Sequence, residues 1–216
     1  MATSNGSTAI RDKILASLAR YRALRIGKFP CAFWRLSSRP GLTAAVEEMA
    51  ERGYASAEEA DVRQISTALE PRLKHLMLSY EDAANQLVKE PANLEGTPFN
   101  DGELLGAHTG GTNHDGKWTD ISRFYKFDDL GVVELSETDY ITSRGRIQMT
   151  QELINEDVNG IPAMYRVNVS NSGAAVSLVS WATDSKKYVL YAEKNGAKDE
   201  GVKQRLLELA RSIPAD

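Results

Sequence analysis

At 216 residues, with 42% hydrophobic and 26% charged side chains, the chain has the size and composition of a globular protein and not of a disordered one. No apolar run approaches the roughly 18 residues that cross a bilayer, which excludes a membrane-spanning helix. The single cysteine, Cys31, excludes an intrachain disulfide. Residues 1–40 carry eight bases and one acid, a net of +7, so the total of −4 leaves −11 for the remainder. Those bases are spread around a helix, no nucleic-acid motif accompanies them, and the acidic body repels phosphate. No nucleic-acid partner is expected.

Met1 to Ser7 form a short polar start without a signal peptide. Such a start fits a chain whose leader has been removed, which would admit a lipid anchor, and equally a frayed cytosolic terminus. Residues 8–26 repeat Ile10, Ile14, Leu18 and Tyr21 at spacings of three and four, the pattern of a helix. The next stretch, with Gly27, Pro30, Pro40 and Gly41, reads as a loop that carries the apolar patch Cys31, Ala32, Phe33, Trp34. A short helix is expected over Thr43 to Arg52, stopped by Gly53. Ser56-x-x-Glu59 has the form of a capping box. From there Val62, Ile65, Leu69, Leu73, Leu76, Tyr80, Ala84 and Leu87 predict one long helix, kinked at Pro71. Leu76, mid-helix on that stripe, should not tolerate proline.

Glycines 96, 102, 106, 110, 111 and 116 mark residues 93–117 as a loop or linker, whose part over 100–117 is expected to be the most mobile internal segment. Beyond it the period changes to two. Strands are expected over Trp118–Phe127, Val132–Tyr140, Ile147–Leu153, Met164–Ser170, Ala174–Ala182 and Lys187–Glu193. Short turns such as Asn171-Ser172-Gly173 make the pairing antiparallel. An amphipathic helix from Asp199 to Ser212 closes the chain and covers the sheet. The fold class is therefore α+β: a helical region over 1–92, the linker at 93–117, and a curved antiparallel meander with its terminal helix over 118–216.

Chemical motifs are sparse. His108, His114 and Asp115 share the Gly-rich loop and are the weak candidates for a metal or an acid/base pair, although their spacing matches no metal motif. His75 sits among leucines and reads as packed or superficial. Asn155 to Gly160 begins like a calcium loop, but Arg166 occupies the twelfth position, where a bidentate Glu is required. No Gly-x-Ser-x-Gly elbow, dinucleotide fingerprint or P-loop occurs, and Cys31 beside Phe33 and Trp34 reads as an inert thiol. No cofactor is expected.

Val158-Asn159-Gly160-Ile161-Pro162-Ala163, Tyr165-Arg166-Val167, Val179-Ser180-Trp181, Tyr188-Val189-Leu190 and the closing Leu206 to Ile213 are the most distinctive text in the chain. Together, over residues 120–213, they resemble the sensor domains of bacterial extracytoplasmic anti-sigma factors and their lipoprotein-carrier-like relatives. The resemblance implies a curved antiparallel sheet with a helix on its concave face and no catalytic residues. The resulting expectation is a non-catalytic, exported bacterial binding protein of the periplasm or cell envelope, with the cytoplasm as the alternative. It would engage a protein partner or an apolar ligand as a sensor, adaptor or immunity-type inhibitor. The expected binding residues are Trp181, Tyr188, Tyr165, Phe33 and Trp34, and Trp181 doubles as a buried keystone between the last hairpin and the terminal helix. The rival expectation is a hydrolase-type enzyme built on His108, His114 and Asp115.

Overall fold

The order of elements follows the change of period: helical segments first, then strands, then one amphipathic helix. A computed structural model describes residues 40–70, 75–147, 149–150 and 153–214. The helix expected over 8–26, Cys31, Phe33, Trp34 and the kink at Pro71 lie outside them.

Helix α1 (Pro40–Arg52) ends at Gly53, whose amide donates to the Met49 carbonyl at 2.9 Å. The chain then enters strand β1 (Ala55–Ser56), which lies parallel to β6 (Ile161–Val169). That pairing corrects the expected capping box. The Ser56 hydroxyl and amide both donate to Glu48, at 2.6 and 2.8 Å, and so turn away from Glu59. The long helix is also corrected. It is divided into α2 (Glu59–Val62), α3 (Gln64–Ala68) and α4 (Tyr80–Asn85). Leu76 lies outside all three, in a 3₁₀ turn, and is 43% exposed, so proline there has no α-helix to break.

A true cap stands further along. Ser79 Oγ accepts from the Asp82 amide at 3.1 Å and donates to the Asp82 carboxylate at 2.7 Å. This satisfies an orphan amide of a helix too short to hold itself. Ser79→Ala should cost about 1 kcal/mol, read as a lower midpoint in urea, whereas an unshifted midpoint would mean the cap contributes nothing.

The segment expected as a loop at 93–117 is largely strand. After a 3₁₀ turn at Pro98–Asp101, β2 (Glu103–His114) pairs antiparallel with β3 (Lys117–Phe127). Its register slips between Leu104 and Gly106 and again between Gly110 and Asn113. Gly106, at φ +146°, passes so close to the backbone of Leu78 that a Cβ would lie 3.0 Å from its carbonyl oxygen. Gly111, at φ +81°, leaves no room for a Cβ beside Asp120 and Thr119. These glycines are the hinges of β-bulges on an edge strand, and bulges are one way such an edge is protected from adding further strands.

β4 (Gly131–Asp139) completes a first meander. A second meander consists of β5 (Glu156–Val158), β6, β7 (Ala175–Ala182) and β8 (Lys186–Ala192). β8 pairs with β4, so the two join into one open, curved sheet in the order β1-β6-β7-β8-β4-β3-β2, with β5 also on β6. The described residues of the strand expected over 147–153 (Ile147, Met149, Thr150 and Leu153) are not in a strand and belong to the connection between the meanders. Helix α5 (Glu200–Ser212) is capped by Asp199, whose carboxylate accepts from the Gly201 amide at 2.9 Å. It buries Val202, Leu206, Leu209 and Ala210 against Val133, Leu135, Val179 and Leu190 of the sheet.

Candidate functional site

Because β8 lies beside β4 and β5 pairs with the flank of β6 away from β7, the chain leaving β4 at Asp139 must pass β8, β7 and β6 to begin β5. This crossing strap is fastened at both ends. At its start, the Thr142 amide donates to Asp139 at 2.9 Å, the Gly145 amide to the Tyr140 carbonyl at 2.8 Å, and the Tyr140 hydroxyl to the Thr183 carbonyl at 2.8 Å. At its finish, the Asn155 side chain imitates a strand residue. Its oxygen accepts from the Tyr165 amide at 2.7 Å and its nitrogen donates to the Tyr165 carbonyl at 2.9 Å.

Between the strap and the sheet lies a cleft of about 340 Å³, within the range of about 300–1,000 Å³ usual for small-molecule sites. The strap contributes Arg146, Ile147, Met149, Thr150, Leu153 and Ile154. The sheet contributes Met164, Ser180, Ala182 and Lys187, and Trp181 also borders the space. Met164 stands opposite Ser180, and Ala182 opposite Lys187. Ile147, Met149, Leu153 and Met164 are each only half-buried, leaving apolar surface open to the cleft. Among the described lining residues there is no carboxylate, imidazole or thiol.

Strand alternation explains where the expected binding aromatics went. Tyr165, Trp181 and Tyr188 occupy the positions next to Met164, Ser180 and Lys187, and so face the other way, into the core beneath α5. The Trp181 and Tyr188 rings stack at 5.2 Å with 12° between planes, and the two residues are 2% and 0% exposed. Trp181 is thus the keystone expected of it. Phe33 and Trp34 lie outside the described residues.

Burial, with the carboxylates of Glu200, Glu156 and Asp199 adding to it, pushes the Tyr165 phenol up to about 12. A group that prefers its neutral form when folded contributes stability fully below its unfolded value, near 10, and loses it as pH rises toward 12. Stability of the protein should therefore fall over that alkaline window, and Tyr165→Phe should flatten the fall when unfolding is followed by circular dichroism at each pH.

The residues of the rival enzymatic expectation are not gathered. His108 and His114 are six strand residues apart on β2, up to about 20 Å, and Asp115 sits exposed in the following turn. His108 does stand opposite Ser122 in the register. The Ser122 hydroxyl, however, donates to Glu134 at 2.8 Å, whereas an activated serine gives its proton to the imidazole. Burial pushes the Glu134 carboxyl up, against that hydrogen bond. Among the described residues no group of three His, Cys, Asp or Glu side chains could hold a metal ion.

A second polar assembly was not anticipated. On the α5 face of the sheet, at the end α5 does not reach, Arg123 pairs with Glu137, and both are about 2% exposed. Between them they grip both backbone polar groups of one residue, Ala92, in the segment before β2. Arg123 Nη1 donates to the Ala92 carbonyl at 3.0 Å, and Glu137 accepts from the Ala92 amide at 2.9 Å. Lys186 donates to the Glu90 carbonyl at 2.7 Å and stands 3.5 Å from Glu137. Lys89 reaches Asp139 at 3.3 Å. Burial works against the Asp139 charge, but the Thr142 hydrogen bonds and Lys89 outweigh it and hold the carboxyl below its ordinary value. The signal for this network was present in the strands. Arg123 falls on the inward parity of Ile121 and Tyr125, and Glu137 on that of Val133 and Leu135.

Compared with protein-family models and with curated protein sequences, the chain has no match. Among solved structures, a GTP binding regulator from Thermotoga maritima aligns with 50% of this chain and 79% of its own, at 18% identity and a TM-score of 0.28. At that score the superposition carries no inference about fold or function.

Proposed function

We propose that the protein is a non-catalytic binding module that takes a small apolar ligand between the strap and the sheet. The observation that carries this reading is the cleft itself, in which half-buried Ile147, Met149, Leu153 and Met164 present apolar surface to an open space. Such surface is ordinarily removed from water in a folded chain, and here it is interspersed with the polar side chains of Arg146, Thr150, Ser180 and Lys187, a mixture of apolar walls and placed polar groups that suits a ligand site. The likeness of residues 120–213 to sensor and carrier-like domains supports the same reading, and with it an exported, envelope-associated protein.

The experiment is titration with Nile red, a neutral dye that brightens on leaving water. One saturable site is expected. Met164→Arg, which places a charged side chain in the cleft from a half-buried position, should abolish the brightening while leaving the circular-dichroism spectrum intact. Equal brightening in the folded variant would place the dye elsewhere and overturn the reading.

A further inference from the structure

The cleft is not uniformly apolar, and its charge has one sign. Arg146 on the strap and Lys187 on β8 are the two charged side chains among its described lining residues, and both are cations. Among the described residues neither pairs with a carboxylate. The neighbouring cations of the same region do: Lys186 is committed to Glu137, Lys89 to Asp139 and Arg123 to Glu137. Lys187 is half-buried and Arg146 exposed, and a half-buried lysine commonly lays its stem along apolar surface with its ammonium toward water. A protein that leaves two cations unpaired beside an apolar space offers that space to a ligand carrying the missing charge, and a guanidinium matches an oxyanion in geometry as well as sign.

The rest of the lining limits the body of that ligand. Met149 and Met164 face it from opposite walls, and methionine adapts to a flexible occupant better than branched side chains do. At about 30 Å³ per methylene-sized group, equal to the share of one water molecule in the liquid, 340 Å³ holds about eleven such groups. That is one alkyl chain of moderate length and not two.

We infer that the ligand is a single-chain anionic amphiphile, its oxyanion between Arg146 and Lys187 and its chain against Met149, Leu153 and Met164. The inference rests on the cleft being a ligand site, and the test keeps the two apart. With Nile red bound to the full chain, decanoate, decyl phosphate and decanol are compared as displacing agents. The two anions share the chemistry and differ in its source, a fatty acid or a phosphorylated lipid fragment, so whichever displaces better identifies which.

Anionic displacement at a concentration at least tenfold below that of decanol is expected. In the Arg146→Glu/Lys187→Glu double variant that advantage should vanish, the ratio of the displacing concentrations of decanol and decanoate falling to one or below, whatever the variant's own affinity for the dye. If the anions and decanol displace equally, or if none of the three displaces bound dye, the inference is overturned and the apolar cleft stands. If the unaltered protein binds no Nile red, both fall together.

Discussion

Glu137→Ala is expected to lower the stability of the protein by about 3–5 kcal/mol, the usual cost of removing one partner from a buried ion pair. The magnitude follows from what the substitution strands. Arg123 is 1% exposed and would lose its counter-charge, and the Ala92 amide would lose its acceptor in a place water does not reach. Lys186 would keep only the Glu90 carbonyl. A midpoint in urea should fall accordingly, and the segment 88–92 should become a site of proteolysis. The isosteric double change Arg123→Met/Glu137→Leu should recover most of the loss, since apolar residues of similar volume often replace a buried pair at little cost. A Glu137→Ala protein within about 1 kcal/mol of the parent would show that water reaches the network.

Trp181→Ala should cost a similar amount, about 3–5 kcal/mol for an aromatic side chain lost from a core. Trp181 is paired with Ala163 on one side and Tyr188 on the other, stacks on the latter, and is covered by the helix that brings Leu206 and Leu209. Because it also borders the cleft, Trp181→Ala should weaken Nile red binding as well, whereas Trp181→Phe should retain most of both properties. A Trp181→Ala protein of parental stability that no longer binds the dye would mark the residue as part of the binding wall alone.

The strands after residue 117, apart from β5, which falls where the sequence reads as a turn, were legible because their turns speak locally. Asp128-Asp129-Leu130-Gly131 and Asn171-Ser172-Gly173 punctuate runs whose period is two, and neither needs a distant contact to be read. Trp181 beside Tyr188 followed from the same register. What was not legible depends on partners far away in the chain. Gly106 and Gly111 look like loop residues until Leu78 and Asp120 are placed against them, at which point they become bulges in β2. Ser56 looks like a helix cap until β6 claims it as a parallel partner and Glu48 takes its hydroxyl. The alternation of Ile147, Met149 and Leu153 was real but was misread. Its described residues belong to a strap that lines the cleft against the sheet, and among them none is paired in a strand. Of the aromatics selected from the sequence, Trp181 borders the cleft, whereas Met164, Ser180 and Lys187, one step of the pleat away on the opposite face, carry no sequence signal that singles them out.

The placement of β8 beside β4 also shapes how the chain can come together. Each meander closes its own short hairpins quickly, but the seam between them waits for a strand that ends at Ala192, long after Asp139 has been made. Loop closure over that distance is slow relative to a hairpin. Until the seam zips, β4 has an open flank of unpaired backbone, and so does β8 once it is made, which is the condition in which a nascent or partly denatured molecule joins strands with its neighbours. The time that passes between the making of β4 and the closing of this interior seam therefore sets how long two strand flanks stand open to association.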